Sequence, residues 1–150
     1  MKPSILTLAA VLAMSGVGES RKWDCQSVGK GRPSNQKLKD AAWDFDRLFG
    51  KNLLTARSNQ CYVSQCKGHY FAFCNTSGVT RKEKAGHRGK AKDQGLPRGQ
   101  GDNCNVSVGH WISDSNNVYH FGSLKNLNSN DSCYLKKAKC GVFRADIRRC

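Results

Sequence analysis

Eight cysteines follow a short apolar leader, and this combination limits the possible folds of the chain more than any other feature. The cysteines run from Cys25 to the last residue, Cys150. The leader has Lys2, then an uncharged run over residues 5–17, with the small residues Gly16, Gly18 and Ser20 at its end, which is the order of a secretory signal peptide. The apolar run is shorter than the roughly 20 residues of a membrane span. We therefore expect export through an oxidising compartment and a fold held by disulfides.

The predicted organisation is a signal peptide over residues 1–20 and a single disulfide-rich domain over residues 21–150. An even number of cysteines favours full pairing, although about a hundred connectivities are possible. No two cysteines stand in a C-x-x-C arrangement, which disfavours a zinc or redox site, so we expect no metal and no other cofactor. The cysteines predicted to pair are Cys25, Cys61, Cys66, Cys74, Cys104, Cys133, Cys140 and Cys150.

The chain is strongly basic, with a formal net charge of +14. A charge this far from zero favours a polyanionic partner, which could be nucleic acid, anionic lipid or acidic polysaccharide. Solubility during secretion is the alternative explanation. A host protein or receptor is also a possible partner. Apart from the leader, no stretch is apolar enough to be a transmembrane segment, so we expect a secreted, extracellular monomer.

The clearest predicted element is a helix that begins after Ser34, a good N-cap residue, and ends at Gly50. Its apolar residues recur at intervals of three and four, which predicts one face packed on a sheet. These residues are Leu38, Ala41, Ala42, Phe45, Leu48 and Phe49. Four charged residues are expected on the opposite, solvent-facing side, namely Lys37, Asp40, Asp44 and Arg47.

Five strands are predicted from runs rich in β-branched and aromatic residues between turn signals. They cover residues 61–64, 69–74, 105–112, 117–124 and 141–147. Because strands and helix are segregated along the chain, the predicted class is α+β. We expect an antiparallel sheet of about four to five strands, with one main helix packed on one face.

The segment over residues 75–103 has neither helical nor strand periodicity, and Cys74 and Cys104 flank it. Its basic residues are interleaved with glycine, which predicts a mobile loop that binds a polyanion. A solvated connector is the alternative. The candidate binding residues are Arg81, Lys82, Lys84, Arg88, Lys90 and Lys92. The segment has no aromatic residue, so stacking on a base would have to come from Tyr70, Trp111 or Tyr119.

Two histidines suggest an alternative, catalytic function. If the hairpin between the third and fourth strands turns about Ser115, His110 lies opposite His120 on one face. Two imidazoles near one substrate suit general acid–base cleavage of RNA. The competing interpretation is that both are ordinary sheet residues. Three Asn-x-Ser/Thr sequons, at Asn75, Asn105 and Asn130, are candidate glycosylation sites.

The cysteine series from Cys25 to Cys150 and the helix over residues 34–49 give the chain a recognisable format. The mature chain resembles the small secreted cysteine-rich effectors of plant-pathogenic fungi, and among them the LARS-type avirulence effectors. The resemblance implies a virulence or avirulence protein of a fungal pathogen, and it transfers no functional residue. We therefore expect a secreted effector or toxin that binds a host or competitor component without catalysis. The alternative is a secreted cationic ribonuclease that uses His110 and His120.

Overall fold

The computed structural model describes residues 22–26, 34–97, 103–108, 116–127 and 130–150, without the side chains of residues 130–132. The predicted signal peptide lies outside the described residues. The helices are α1 (Asn35–Phe49) and α2 (His87–Asp93), with 3-10 helices over Leu124–Asn126 and Asn130–Leu135. The strands are β1 (Asp24–Gln26), β2 (Thr55–Ala56), β3 (Gln60–Cys66), β4 (His69–Asn75), β5 (Arg81–Lys82), β6 (Asn103–Ser107), β7 (Asn117–Ser123), β8 (Lys139–Cys140) and β9 (Phe143–Arg149). Among these helices, none is both long and apolar enough to span a membrane.

Within the described chain, seven strands form one sheet in the order β1-β6-β7-β4-β3-β9-β8, and β2 pairs separately with β5. The predicted α+β class is confirmed, but the sheet is larger than expected. It is also mixed, because β9 runs parallel to β3 while the other neighbours are antiparallel. Two edge strands, β1 and β8, have only three and two residues. Strands this short carry no readable alternation of apolar and polar residues.

Helix α1 forms as its sequence predicts. The Ser34 hydroxyl accepts a hydrogen bond of 3.1 Å from the backbone N–H of Lys37 and caps the first turn. The helix ends at Gly50, whose φ of 85° favours glycine. The predicted apolar face packs on the sheet through buried residues Leu38, Ala41, Ala42 and Phe45.

Asp44 departs from the expected pattern of α1. The sequence predicts Asp44 on the solvent-facing side, and this is wrong, because its side chain is only 2% exposed. Arg47 lies 3.3 Å and Lys67 lies 3.5 Å from its carboxylate oxygens. A carboxylate this buried needs cationic partners, and Lys67 comes from the turn between β3 and β4, which local periodicity does not reveal.

Both faces of the large sheet are covered. On the helix side, α1 packs against Phe71, Phe73 and Tyr119. On the opposite side, Val63 and Tyr70 pack with Leu127 and Leu135, which the segment containing the 3-10 helices supplies. The structure therefore has a third layer that the expected layout, with one helix on one face, does not include. This layer has no long periodic helix from which it could have been predicted.

The structure pairs all eight cysteines. Two bridges join residues directly opposite each other on antiparallel strands, Cys25 with Cys104 and Cys61 with Cys74. A third bridge, Cys66–Cys150, ties the last residue to the end of β3, and the fourth is Cys133–Cys140. The connectivity that the sequence left open thus links both terminal regions of the domain to the sheet.

Candidate anion-binding site

The basic segment is folded onto the domain over residues 77–97. Ala91 of α2 is fully buried with the α1 core, so this segment contributes to the core. The indole N–H of Trp23 donates a 2.8 Å hydrogen bond to the carbonyl of Ala91. The backbone N–H of Leu96 donates one of 2.8 Å to Oδ1 of Asn35, at the start of α1. Short polar contacts and one small apolar residue fix this segment, and they leave no periodic signature.

Arg88 holds the segment against the end of α1, and its side chain is only 12% exposed. Its guanidinium donates to both carboxylate oxygens of Glu83, at 3.0 and 2.5 Å. It also donates at 2.7 Å to Oδ1 of Asp46 and at 2.7 Å to the carbonyl of Gly50. Burial opposes the charge on Arg88, but the hydrogen bonds to the two carboxylates outweigh it and leave its pKa raised. Arg88 is therefore a structural clamp.

Glu83 is held from several directions, and its side chain is 1% exposed. Besides Arg88, it accepts a 2.6 Å hydrogen bond from the Tyr119 hydroxyl and one of 3.2 Å from the backbone N–H of Leu54. Burial, together with the charge of Glu83, raises the pKa of Tyr119. We call Arg88, Glu83, Asp46 and Tyr119 the Arg88 cluster. Since its donors and acceptors are already paired, the cluster is better suited to support a site than to transfer protons.

A pocket of about 190 Å³ opens above the Arg88 cluster, and three lysines line it. They are Lys51, which follows α1, Lys84, which precedes α2, and Lys92 on α2. Asp46 and Glu83 also line the pocket, but Arg88 engages both carboxylates. The lysines therefore give the pocket a positive balance of charge. We call it the basic pocket, and an anionic group is the ligand that its charge favours.

The structure separates the six predicted binding residues. Lys84, Arg88 and Lys92 line the basic pocket, whereas Lys90 is exposed elsewhere on α2. Arg81 and Lys82 belong to β5, where Nε of Arg81 donates to the Ser77 hydroxyl at 3.1 Å. Sequence reasoning missed Lys51, which lies in the turn after the helix, far along the chain from the other lysines.

The expected register, with His110 opposite His120, differs from the register of the described residues. His110 lies outside the described residues, but the register of the hairpin is clear: Asn105 stands opposite His120, and Ser107 stands opposite Val118. An odd shift in register moves every side chain of a strand to the other face. As a result, His120 faces away from Val106, and its ring packs edge-on against Tyr134 at 5.7 Å.

Burial of His120 lowers its pKa to about 4, whereas an unfolded histidine titrates near 6.5. Between these values the unfolded chain binds a proton that the folded chain does not. The part of the stability that depends on neutral His120 is therefore fully present above about pH 6.5 and is lost as the pH drops toward 4. We expect His120 to cost about 1–3 kcal/mol of stability over this range. Urea unfolding at several pH values should show a shallower loss for His120→Gln, and parallel profiles would contradict the assignment.

The described sequons differ in accessibility. Asn75 is fully buried, and its Nδ2, the atom that would carry a glycan, donates to the carbonyls of Ala56, Arg57 and Val79 at 2.8–3.0 Å. The folded chain leaves no space for a glycan on this atom. Asn105 lies in β6 and is partly buried, so its glycosylation stays a prediction. The side chain of Asn130 lies outside the description.

The aromatic residues expected to stack on a base do not serve that purpose where they are described. Tyr70 and Tyr119 are fully buried, and Trp111 lies outside the described residues. Both tyrosine hydroxyls donate hydrogen bonds within the protein, that of Tyr70 to Asn103 and that of Tyr119 to Glu83. A ligand that reaches the surface can touch neither ring.

Only one group of potential metal ligands comes together in the described part of the chain, formed by Asp44, Cys66 and Cys150. The two cysteines are bonded to each other in a disulfide. Neither sulfur is therefore a thiolate, the form in which cysteine binds metals. The carboxylate of Asp44 already has Arg47 and Lys67 as partners.

The features behind the resemblance to LARS-type effectors have defined places in the fold. The cysteines form four bridges, and the helix packs on the sheet as α1. Membership of that group stays a prediction. Comparison of the chain with protein-family models, with curated proteins and with solved structures finds no match.

Proposed function

We propose that this protein is a secreted effector or toxin-like protein that acts by binding an anionic component of a host or competitor at the basic pocket. The apolar leader and the eight cysteines support export. The net charge of +14 supports attraction of an anionic partner over long range. Binding, and not catalysis, is the proposed mode of action.

The observation that carries this proposal is the arrangement of charge around the Arg88 cluster. Arg88 is buried against Glu83 and Asp46, so its positive charge offsets part of the negative charge of these two carboxylates. Lys51, Lys84 and Lys92 surround the same opening from three different parts of the chain. Because the Arg88 cluster beneath these lysines is already paired internally, an anion can bind there with little reorganisation, which favours affinity.

The ribonuclease alternative is based on His110 lying opposite His120, whereas in the described register Asn105 stands opposite His120. It remains testable by incubating the purified protein with total RNA. Degradation that disappears in His110→Ala and His120→Ala variants would contradict a function based on binding alone. Under the present proposal the RNA stays intact.

Replacing Lys51, Lys84 and Lys92 together with glutamine should weaken binding to heparin by about 10- to 100-fold at low salt. The slope of log affinity against log salt should become shallower by about two to three. Stability should change by no more than about 0.5 kcal/mol per substitution, since the lysines lie at the surface. Heparin affinity across a salt series, with a melting curve for each protein, measures both effects.

A matched control carries the same change in charge at another place. Lys136, Lys137 and Lys139 are exposed residues of the C-terminal region, and their replacement with glutamine also removes three positive charges. The proposal expects this variant to bind almost as tightly as the unmodified protein. If both triple variants lose affinity equally, the attraction comes from overall charge and the basic pocket is not a site.

A further inference from the structure

A second groove, of about 360 Å³, lies beside the basic pocket and shares Asp46 and Lys92 with it. Its most unusual side chain is Trp43, on the outer face of α1. We call this space the Trp43 groove. The remaining side chains of its lining are Lys39, Asp40 and Asp93. A ligand in the basic pocket could therefore extend across α2 to α1 without crossing a gap.

Trp43 is 59% exposed, and it is the only aromatic residue among the exposed large hydrophobic residues of the described chain. The sequence places it off the apolar stripe of α1, and its ring is not part of the core. The guanidinium carbon of Arg47, one turn further on, lies 5.6 Å from the ring centroid. An exposed indole beside cations offers a flat surface on which a planar ligand can stack.

The two neighbouring spaces differ in charge. In the basic pocket, four cations meet two carboxylates, whereas in the Trp43 groove two lysines meet three aspartates. One of these aspartates, Asp46, is engaged by Arg88, and Asp93 lies 3.9 Å from Lys92. A matching ligand therefore has an anionic part for the pocket and an uncharged, planar part for the groove.

We propose that the ligand is single-stranded nucleic acid, with a phosphate in the basic pocket and the adjoining base stacked on Trp43; this rests on the proposed function. A nucleotide joins an anion to a neutral aromatic ring, which is the combination that the two spaces require. An acidic polysaccharide also carries repeated anionic groups, but it has no aromatic ring that could stack on Trp43. An anionic membrane surface offers no such ring either.

The test compares Trp43→Ala with the unmodified protein on three probes. These are a fluorescent single-stranded oligoadenylate of about 12 nucleotides, heparin, and phosphatidylcholine vesicles with about one third phosphatidylserine. Loss of the indole should weaken oligoadenylate binding by about 5- to 150-fold, the range for removing one stacking aromatic residue. Binding to heparin and to vesicles should be unchanged. Trp43→Phe, which keeps a ring, should recover part of the lost affinity.

Val142→Ala is the matched control, because Val142 is 74% exposed and lies in the turn between β8 and β9. It should bind all three probes normally. The nucleic-acid proposal is overturned if Trp43→Ala leaves oligoadenylate binding unchanged, or if it weakens heparin or vesicle binding to the same extent. These outcomes leave the anion site itself standing. That site fails separately if the triple lysine variant binds every probe as tightly as the unmodified protein does.

Discussion

Replacing Arg88 with glutamine should lower the free energy of unfolding by about 3–5 kcal/mol, because removing one partner of a buried ion pair leaves the other charge uncompensated. Glu83 is almost inaccessible to solvent and would lose its two shortest charged contacts. Asp46 and the carbonyl of Gly50 would each lose a donor at 2.7 Å. Urea unfolding followed by circular dichroism measures the loss.

Lys90→Gln provides the comparison, since Lys90 is exposed on the same short helix. It removes one positive charge too, and it should change stability by less than about 0.5 kcal/mol. A variant with both Arg88→Gln and Glu83→Gln should be less destabilised than the two separate losses suggest, because the two residues are coupled. Similar stabilities for Arg88→Gln and Lys90→Gln would show that Arg88 is no clamp.

Because Arg88 is a structural residue, the binding role of the basic segment needs variants that leave Arg88 unchanged. If the segment were a mobile loop, all six of its candidate cations could be neutralised without changing the melting temperature. The burial of Arg88 makes that experiment ambiguous, because the protein would lose stability and binding together. Variants confined to Lys51, Lys84 and Lys92 separate the anion site from the structural cluster on which it rests.

Local patterns explain which parts of the fold could be predicted. Helix α1 has a cap at Ser34, a stripe of apolar residues and a glycine at its end, and all three act within a few residues of each other. Strand β4 is dense in aromatic and apolar residues, and almost all of it is buried. Both elements form close to where the sequence predicts them.

Contacts between distant residues explain what was missed. The parallel pairing of β3 with β9 joins Gln60 to Arg144, and no periodicity within either strand indicates its partner. The register of β6 on β7 depends on which residues can be buried together, so Val106 stands opposite Tyr119 on the helix side. The predicted register is aligned on an assumed turn at Ser115, without knowledge of which residues are buried together, and it therefore differs from this one.

The candidate site was hidden for a related reason. A buried charge is stabilised by its partners. The partners of Arg88 are Asp46 and Glu83, which lie far apart in the sequence. In the sequence it is one basic residue among several. Lys51 and Trp43 are equally inconspicuous, because only the packing of α2 on α1 brings them beside Lys92.

Removing the Cys66–Cys150 bridge by changing both cysteines to alanine should cost about 4–5 kcal/mol. The two residues are separated by 84 positions, so the bridge restricts the unfolded chain severely. In the folded chain, β9 keeps its parallel pairing with β3. Arg148 still donates to the carbonyl of Leu48 at 2.6 Å. The folded structure should therefore persist while the unfolded state gains entropy.

The Cys133–Cys140 bridge provides an internal standard, because its cysteines are only seven positions apart. Its removal should cost about 2–3 kcal/mol on the same chain-entropy argument. Neither Cys150 nor Cys140 is buried, so lost packing contributes little to the difference at these ends. Urea unfolding of the two double variants should rank the long bridge as more stabilising by about 2 kcal/mol. Equal losses would mean that strain or residual structure in the unfolded chain, and not loop length, determines what each bridge contributes.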